Sequence, residues 1–249
     1  MAMHSTVTYS TKMRRRRPII LIGGDKGGTG KSFGARTIAA WLRKQGYSVV
    51  GFDGDARNGH LSRYYEKSLA VSRTVLRDSL GWSLMCQAWE QVDDHSVILV
   101  DLPGNVGDMV TLEAARLKLI ADALDRDILN VWVASEEEDS IWLLKTALEV
   151  ADPNHTIFWM NGRFGADPSK FELWNGSQTR AHFVGSGGKE AFLPVLPIFA
   201  RTKIARARSP FDDVSAAGLG HVDRIDFELW WAGVEQALQP LALMLGGRL

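Results

Sequence analysis

At 249 residues, with 45% apolar and 23% charged side chains, the chain can bury a sizeable core, and its composition gives no reason to split it into several folding units. One cysteine, Cys86, excludes an internal disulfide framework and suits a reducing compartment; six histidines, at positions 4, 60, 95, 155, 182 and 221, lack the spacing of a structural zinc or iron–sulfur site. Net formal charge is zero, but Lys12 and Arg14 to Arg17 give residues 1–17 five positive charges and no acid, leaving 24 bases against 29 acids beyond them.

That basic arm, residues 1–17, is expected to be a flexible tail; if the protein touches nucleic acid or an anionic surface, the arm is the first suspect. Only five apolar residues, 18–22, follow the basic run, so no signal peptide is expected. No apolar run approaches the ~18 residues of a membrane span, and the expected location is the cytoplasm, without membrane insertion.

Short apolar runs alternate with helical patterns from residue 18 onward, which predicts an α/β fold: a doubly wound, mostly parallel sheet flanked by helices, filling residues 18–249. A first strand is predicted over 19–23, then a glycine-rich turn and a helix over 31–45 closed by Gly46. A second strand, 49–53, precedes a stretch from 60 to 92 that is helical in pattern. Strands at 96–101, 128–134 and 156–160 follow, with helices near 112–124 and 140–150. Residues 162–188 are rich in Gly, Pro, Ser and Asn and predict an irregular surface insertion. A final strand falls within 192–199, and Phe227, Trp231, Val234 and Leu238 mark a terminal helix. Most of the nine tryptophans sit in apolar patterns and are assigned to the core.

Gly24-Asp25-Lys26-Gly27-Gly28-Thr29-Gly30-Lys31-Ser32 stands between a predicted strand and a predicted helix, the setting of a phosphate-binding loop. Glycines let the backbone curl so that its N–H groups converge on an anion, and the helix aims its positive end at the same point. Lys31 would neutralise β- and γ-phosphate oxygens, and the Ser32 hydroxyl would ligate Mg²⁺. Asp25, Gly27, Gly28, Thr29, Gly30 and Phe33 complete the expected cradle. The common form of this loop has glycine where this chain has Asp25.

The variant Lys26-Gly27-Gly28-Thr29-Gly30-Lys31-Ser32 resembles the deviant Walker A loop of the ParA/MinD superfamily. That resemblance implies a homodimer with two ATP molecules at its interface, in which Lys26 reaches the phosphates held by the other subunit. Such a lysine acts as an arginine finger does, delivering a cation where charge develops. A solvated loop lysine is the plain alternative.

Asp53 and Asp55 close the second strand and, two residues apart, face the same side at its carboxyl end. They resemble the superfamily's Asp-x-Asp-Pro motif, with Ala56 in place of proline. The likeness implies that Asp55 positions the attacking water and that Asp53 lies near Mg²⁺. Residues 97–100 are apolar and lead to Asp101, the form of a Walker B strand, so Asp101 is expected to hold Mg²⁺ through a water. Pro103-Gly104-Asn105 is similar to the superfamily's switch loop. Asn161 ends a strand and matches a residue with which the superfamily often reads adenine, although a turn-starting role before Gly162 explains it equally well. No guanine-reading Asn/Thr-Lys-x-Asp occurs, which favours ATP over GTP.

The likeness runs in order over residues 18 to about 160 and thins beyond. Pro197-Ile198-Phe199-Ala200-Arg201, followed by Lys203, Arg206 and Arg208, looks like the superfamily's late basic region, which in partition ATPases makes nonspecific DNA contacts. Residues 159–165 and 209–212 are similar to TraL-type proteins of plasmid conjugation. The resemblance implies an ATP-dependent switch with slow, partner-stimulated hydrolysis, an activating partner the sequence does not name, and a role in partition, conjugation or positioning of a large complex. The alternative is a metabolic enzyme of the dethiobiotin-synthetase or amide-ligase type, which shares the fold and phosphate loop.

Overall fold

A computed structural model describes residues 16–24, 27–55, 59–104 and 107–246. Its elements in chain order are β1 (Ile19–Gly24), α1 (Lys31–Lys44), β2 (Ser48–Asp53), α2 (His60–Tyr65), β3 (Ala70–Arg73), α3 (Ser79–Trp89), β4 (Ser96–Asp101), α4 (Gly107–Ala123), β5 (Ile128–Ala134), α5 (Glu138–Ala147), β6 (Thr156–Asn161), α6 (Glu172–Asn175), α7 (Gln178–Gly185), β7 (Lys189–Leu193), α8 (Ile198–Ala207), α9 (His221–Ala237) and α10 (Gln239–Met244).

The seven strands form one sheet in the order β3-β2-β4-β1-β5-β6-β7, every pairing parallel. Parallel strands joined by helices must be covered on both faces, so they read as continuous apolar runs. β4 and β6 are buried at every residue. Alternate side chains of a strand go to opposite layers. Ile20, Ile22, Leu99 and Val131 meet α1, α2 and α8 to α10 on one face, while Ile19, Leu21, Ile98 and Val100 meet α3 and α4 on the other. Ala134, Phe158 and Met160 extend that second face toward α5 to α7.

From β1 the chain runs to β2 on one side, and from the adjacent β5 it runs to β6 on the other. Connections therefore diverge at the carboxyl ends of β1 and β5, where open α/β sheets leave a crevice. The register sets Asp53 opposite Asp101 at the same end.

The fold class agrees with the sequence, and three local expectations are corrected. The predicted helical stretch 60–92 is broken into α2, β3 and α3, because β3 is a four-residue edge strand, mostly exposed and without an apolar alternation to announce it. Residues 162–188 are more ordered than an irregular insertion. Phe171, Trp174 and Phe183 are buried there, and the Trp174 ring stacks on Phe158 of β6 with centroids 3.8 Å apart. The last strand, β7, ends at Leu193, and residues 198–199 already belong to α8. Trp142, on α5, is the one tryptophan that stands in solvent, at 63% exposure.

Of the basic arm, residues 1–15 lie outside the described residues. Arg16 and Arg17 are tied to the amino end of the sheet: Arg16 pairs with Asp94 at 2.9 Å, and the Arg17 amide donates to the Asp94 carbonyl. No helix among the described residues is long and apolar enough to cross a membrane.

Candidate phosphate-binding site

The loop after β1 reaches α1 through backbone angles that suit glycine. Gly28 and Gly30 have φ of +92° and +100°, a region costly for residues carrying a Cβ. At Gly30 a Cβ would also collide with the Asn161 carboxamide. Helix α1 starts with no side-chain cap and no acid in its first turn. By contrast, α3 is capped by Asp78, whose carboxylate accepts the Gly81 amide at 3.0 Å. An uncapped, uncompensated amino terminus of a 14-residue helix turns its first N–H groups and positive potential toward whatever lies before it.

Lys31 is 6% exposed, and its Nζ lies 3.5 Å from Thr29 Oγ1, a long contact. Asp101 is 1% exposed, and neither carboxylate oxygen has a hydrogen-bond partner of ordinary geometry among the described residues. Burial pushes its pKa up to about 7; the nearby Ser32 hydroxyl and Lys31 oppose the rise, while Asp53 and Asp55 add to it. The loop lysine, the first hydroxyl of α1 and the end of β4 thus converge on one point. A buried carboxyl with open lone pairs beside a hydroxyl offers the oxygen ligands that Mg²⁺ prefers. No group of three or more His, Cys, Asp or Glu able to hold a metal occurs among the described residues, so phosphate or water oxygens would have to complete such a site.

Asp53 is fully buried, and both of its oxygens are engaged. Oδ1 accepts the Asp55 amide at 3.2 Å and Oδ2 accepts the Ser62 amide at 2.8 Å. It therefore anchors both ends of the β2–α2 connection and sets where Asp55 begins. Asp55 itself lines the cleft above the glycine loop. Asn161 holds the loop from the other side: Nδ2 donates to the Thr29 carbonyl at 2.7 Å, and Oδ1 accepts the Arg163 amide at 3.1 Å. A base reaching Asn161 would compete with those bonds. Phe33 packs edge-on against Phe211 and Trp230 at 5.1 and 5.8 Å. Asp25, Lys26, Ala56 and Asn105 lie outside the described residues.

The cleft over this loop has a volume of about 970 Å³. The glycine loop, Asp55 and Pro103 line it, together with Arg36, Tyr64, Arg201, Arg206 and Phe211. Sequence reading passed over Arg36, Tyr64 and Phe211, since an arginine inside a helix and two aromatics elsewhere carry no joint signal until the fold stacks them. Of the basic residues near α8, Arg201 and Arg206 line the cleft, whereas Lys203 is paired with Asp223.

A parallel seven-stranded sheet with a glycine loop between its central strand and first helix, and acidic ends on neighbouring β4 and on β2 beyond it, is a P-loop ATPase fold of ParA/MinD type. The chain belongs to the ATPase MipZ family, whose model matches residues 18–152, more than half of its length. It is 30% identical over 179 residues to Protein MobD of Acidithiobacillus ferrooxidans, covering 72% of this chain and 78% of MobD. The fold is similar to that in the MinC:MinD cell division protein complex of Aquifex aeolicus, with a TM-score of 0.54 and 16% identity over 93% of this chain and 97% of that one. It is also similar to chloroplast FtsY of Physcomitrella patens, with a TM-score of 0.53 and 16% identity over 73% of this chain and 60% of FtsY.

Proposed function

We propose that this protein is an ATP-hydrolysing switch that closes into a homodimer on ATP and reopens after hydrolysis. The observation carrying this reading is the convergence of buried Lys31, Ser32 and the buried Asp101 carboxylate at an uncapped helix terminus. Backbone amides of residues 27–32 cradle the β- and γ-phosphates, and Lys31 balances their charge. Ser32 and Asp101 hold Mg²⁺, Asp101 through a water, and a bound Mg²⁺ supplies further charge neutralisation on the phosphate oxygens. Asp53 acts close to the metal through the loop it anchors. Asp55 orients the attacking water from the cleft wall, and Lys26 of each copy contacts the phosphates of the other. Thr29, Gly30 and Phe33 shape the cradle; Asn161 fixes its outer turn and stands where a base would be read.

The switch serves DNA partition, conjugation or the positioning of a large complex, with an activating partner protein that speeds a slow intrinsic rate. Arg201 and Arg206, both exposed, are the candidates for nonspecific, salt-sensitive DNA contact. Sedimentation with ADP and then with ATP, each with and without duplex DNA, tests the reading. The expected outcome is a dimer with ATP alone. Lys31→Ala should abolish nucleotide binding, whereas Lys26→Ala should keep binding and lose ATP-dependent dimerisation; equal loss of binding in both would contradict separate roles. Asp55→Ala should leave a long-lived ATP dimer, and undiminished hydrolysis would remove Asp55 from the mechanism.

A further inference from the structure

Arg36 lies one turn beyond Ser32 on α1, about 6 Å along the helix. Its guanidinium carbon sits 3.3 Å from the Tyr64 ring centroid and 4.3 Å from that of Phe211, so the planar cation is held between two aromatic faces. The residue is 6% exposed and lines the cleft. Its Nε has no hydrogen-bond partner, and it forms no ion pair with a carboxylate among the described residues. Burial lowers its pKa to about 10, opposed by Tyr64, through its charge and a side-chain hydrogen bond, and by Tyr65.

This is an unusual way to bury a cation. A buried guanidinium is ordinarily matched by a carboxylate or by several carbonyls, because an unmatched charge costs several kcal/mol. Aromatic faces satisfy a guanidinium above and below its plane but leave its N–H edge without acceptors. Two further cations of the cleft, Arg201 and Arg206, come from α8, while Asp55 is the one acid among the described residues that line it. His60 is pushed toward its neutral form by burial and then by Arg63 and Arg36, as expected where positive charge is crowded. Stacking fixes the plane of the fork, so its donors are oriented before any ligand arrives, which limits the entropy lost on binding.

The geometry points to a second oxyanion site in the cleft, one helical turn beyond the glycine loop, in which Arg36, with Arg201 and Arg206, receives a phosphate group separate from the one at the loop. A phosphate dianion fits better than a single carboxylate, because three guanidinium groups share the wall and each can donate two parallel bonds to phosphate oxygens. This inference goes beyond the nucleotide switch and does not depend on it, since Arg36, Arg201 and Arg206 all lie outside the glycine loop.

Thermal melting with inorganic phosphate, phenyl phosphate and acetate at matched ionic strength tests it. Phosphate stabilises proteins nonspecifically, so the readout is the difference between variants. In Lys31→Ala, which disables the loop, phosphate should still raise Tm by several degrees at concentrations well above the dissociation constant. Arg36→Met, shaped to remain between the two rings, should lose most of that rise. Arg36→Lys keeps the charge without the fork and should lose it too, which covers the case of a Met variant that folds poorly. A response to inorganic phosphate alone assigns the site to the free ion, and equal responses to phenyl phosphate assign it to phosphate esters. The inference is overturned if Arg36→Met and Arg36→Lys respond as Lys31→Ala does, if acetate matches phosphate, or if Lys31→Ala gives no rise. ATP binding by the unaltered protein is measured in parallel, so failure of the switch reading is seen separately.

Discussion

The two ends of the sheet treat a buried arginine in opposite ways. At the amino end, Arg126 is 2% exposed and donates to four backbone carbonyls: Arg17 at 2.6 Å, Ser96 at 2.8 Å, Val92 at 3.0 Å and Asp93 at 2.6 Å. At the carboxyl end, Arg36 is 6% exposed and is held by the Tyr64 and Phe211 rings in place of a row of carbonyls, and Asp101 at that end has no hydrogen bond of ordinary geometry on either oxygen. Buried polar groups in folded proteins are nearly always satisfied, so a buried carboxylate with open lone pairs beside the glycine loop marks a place for a ligand. One arginine is held by the chain's own carbonyls; the other is held by two rings in the wall of a cleft.

Arg126→Met should have the largest effect. It strands four carbonyls and should lower stability by about 3–5 kcal/mol, or roughly 10 °C in Tm, read by denaturant melts; a neutral result would break the contrast. Lys31→Ala should do the reverse, reducing ATP affinity by about 100-fold or more in titration calorimetry while moving Tm by less than about 2 °C. Asp101→Asn should stabilise the metal-free protein. The raised Asp101 pKa means that the folded form binds an extra proton between about pH 4 and 7, so wild-type stability declines across that window. At pH 8 the Asn variant should melt a few degrees higher, and below pH 4 the two should coincide. Smallest of all, Cys86, whose thiol is pushed up to about 11 by burial, should alkylate slowly at pH 8 and faster as pH rises toward 11.

Much of the carboxyl end was legible in the chain. Glycine spacing around Lys31, and aspartates at the exits of two apolar strands, are local patterns tied to local geometry, and β4 and β5 span the predicted 96–101 and 128–134. What escaped was long-range. The Arg36 stack needs α1, α2 and the segment after α8 together, and Arg126 meets a carbonyl 109 residues away. Asp53 illustrates the middle case: its position was evident, but its service to two loop amides depends on how the chain turns into α2. β3 was hidden for another reason, because an exposed four-residue edge strand has no buried face to pattern.

The nine indoles are distributed in a way that has an experimental use. Trp142 alone stands in solvent, while Trp82, Trp89, Trp159 and Trp174 are sealed in the interior. Iodide or acrylamide should therefore quench a single emitter on α5, and any partner that settles over that helix should shield it. The protein carries its own fluorescent label for docking on that side, with no dye and no added cysteine.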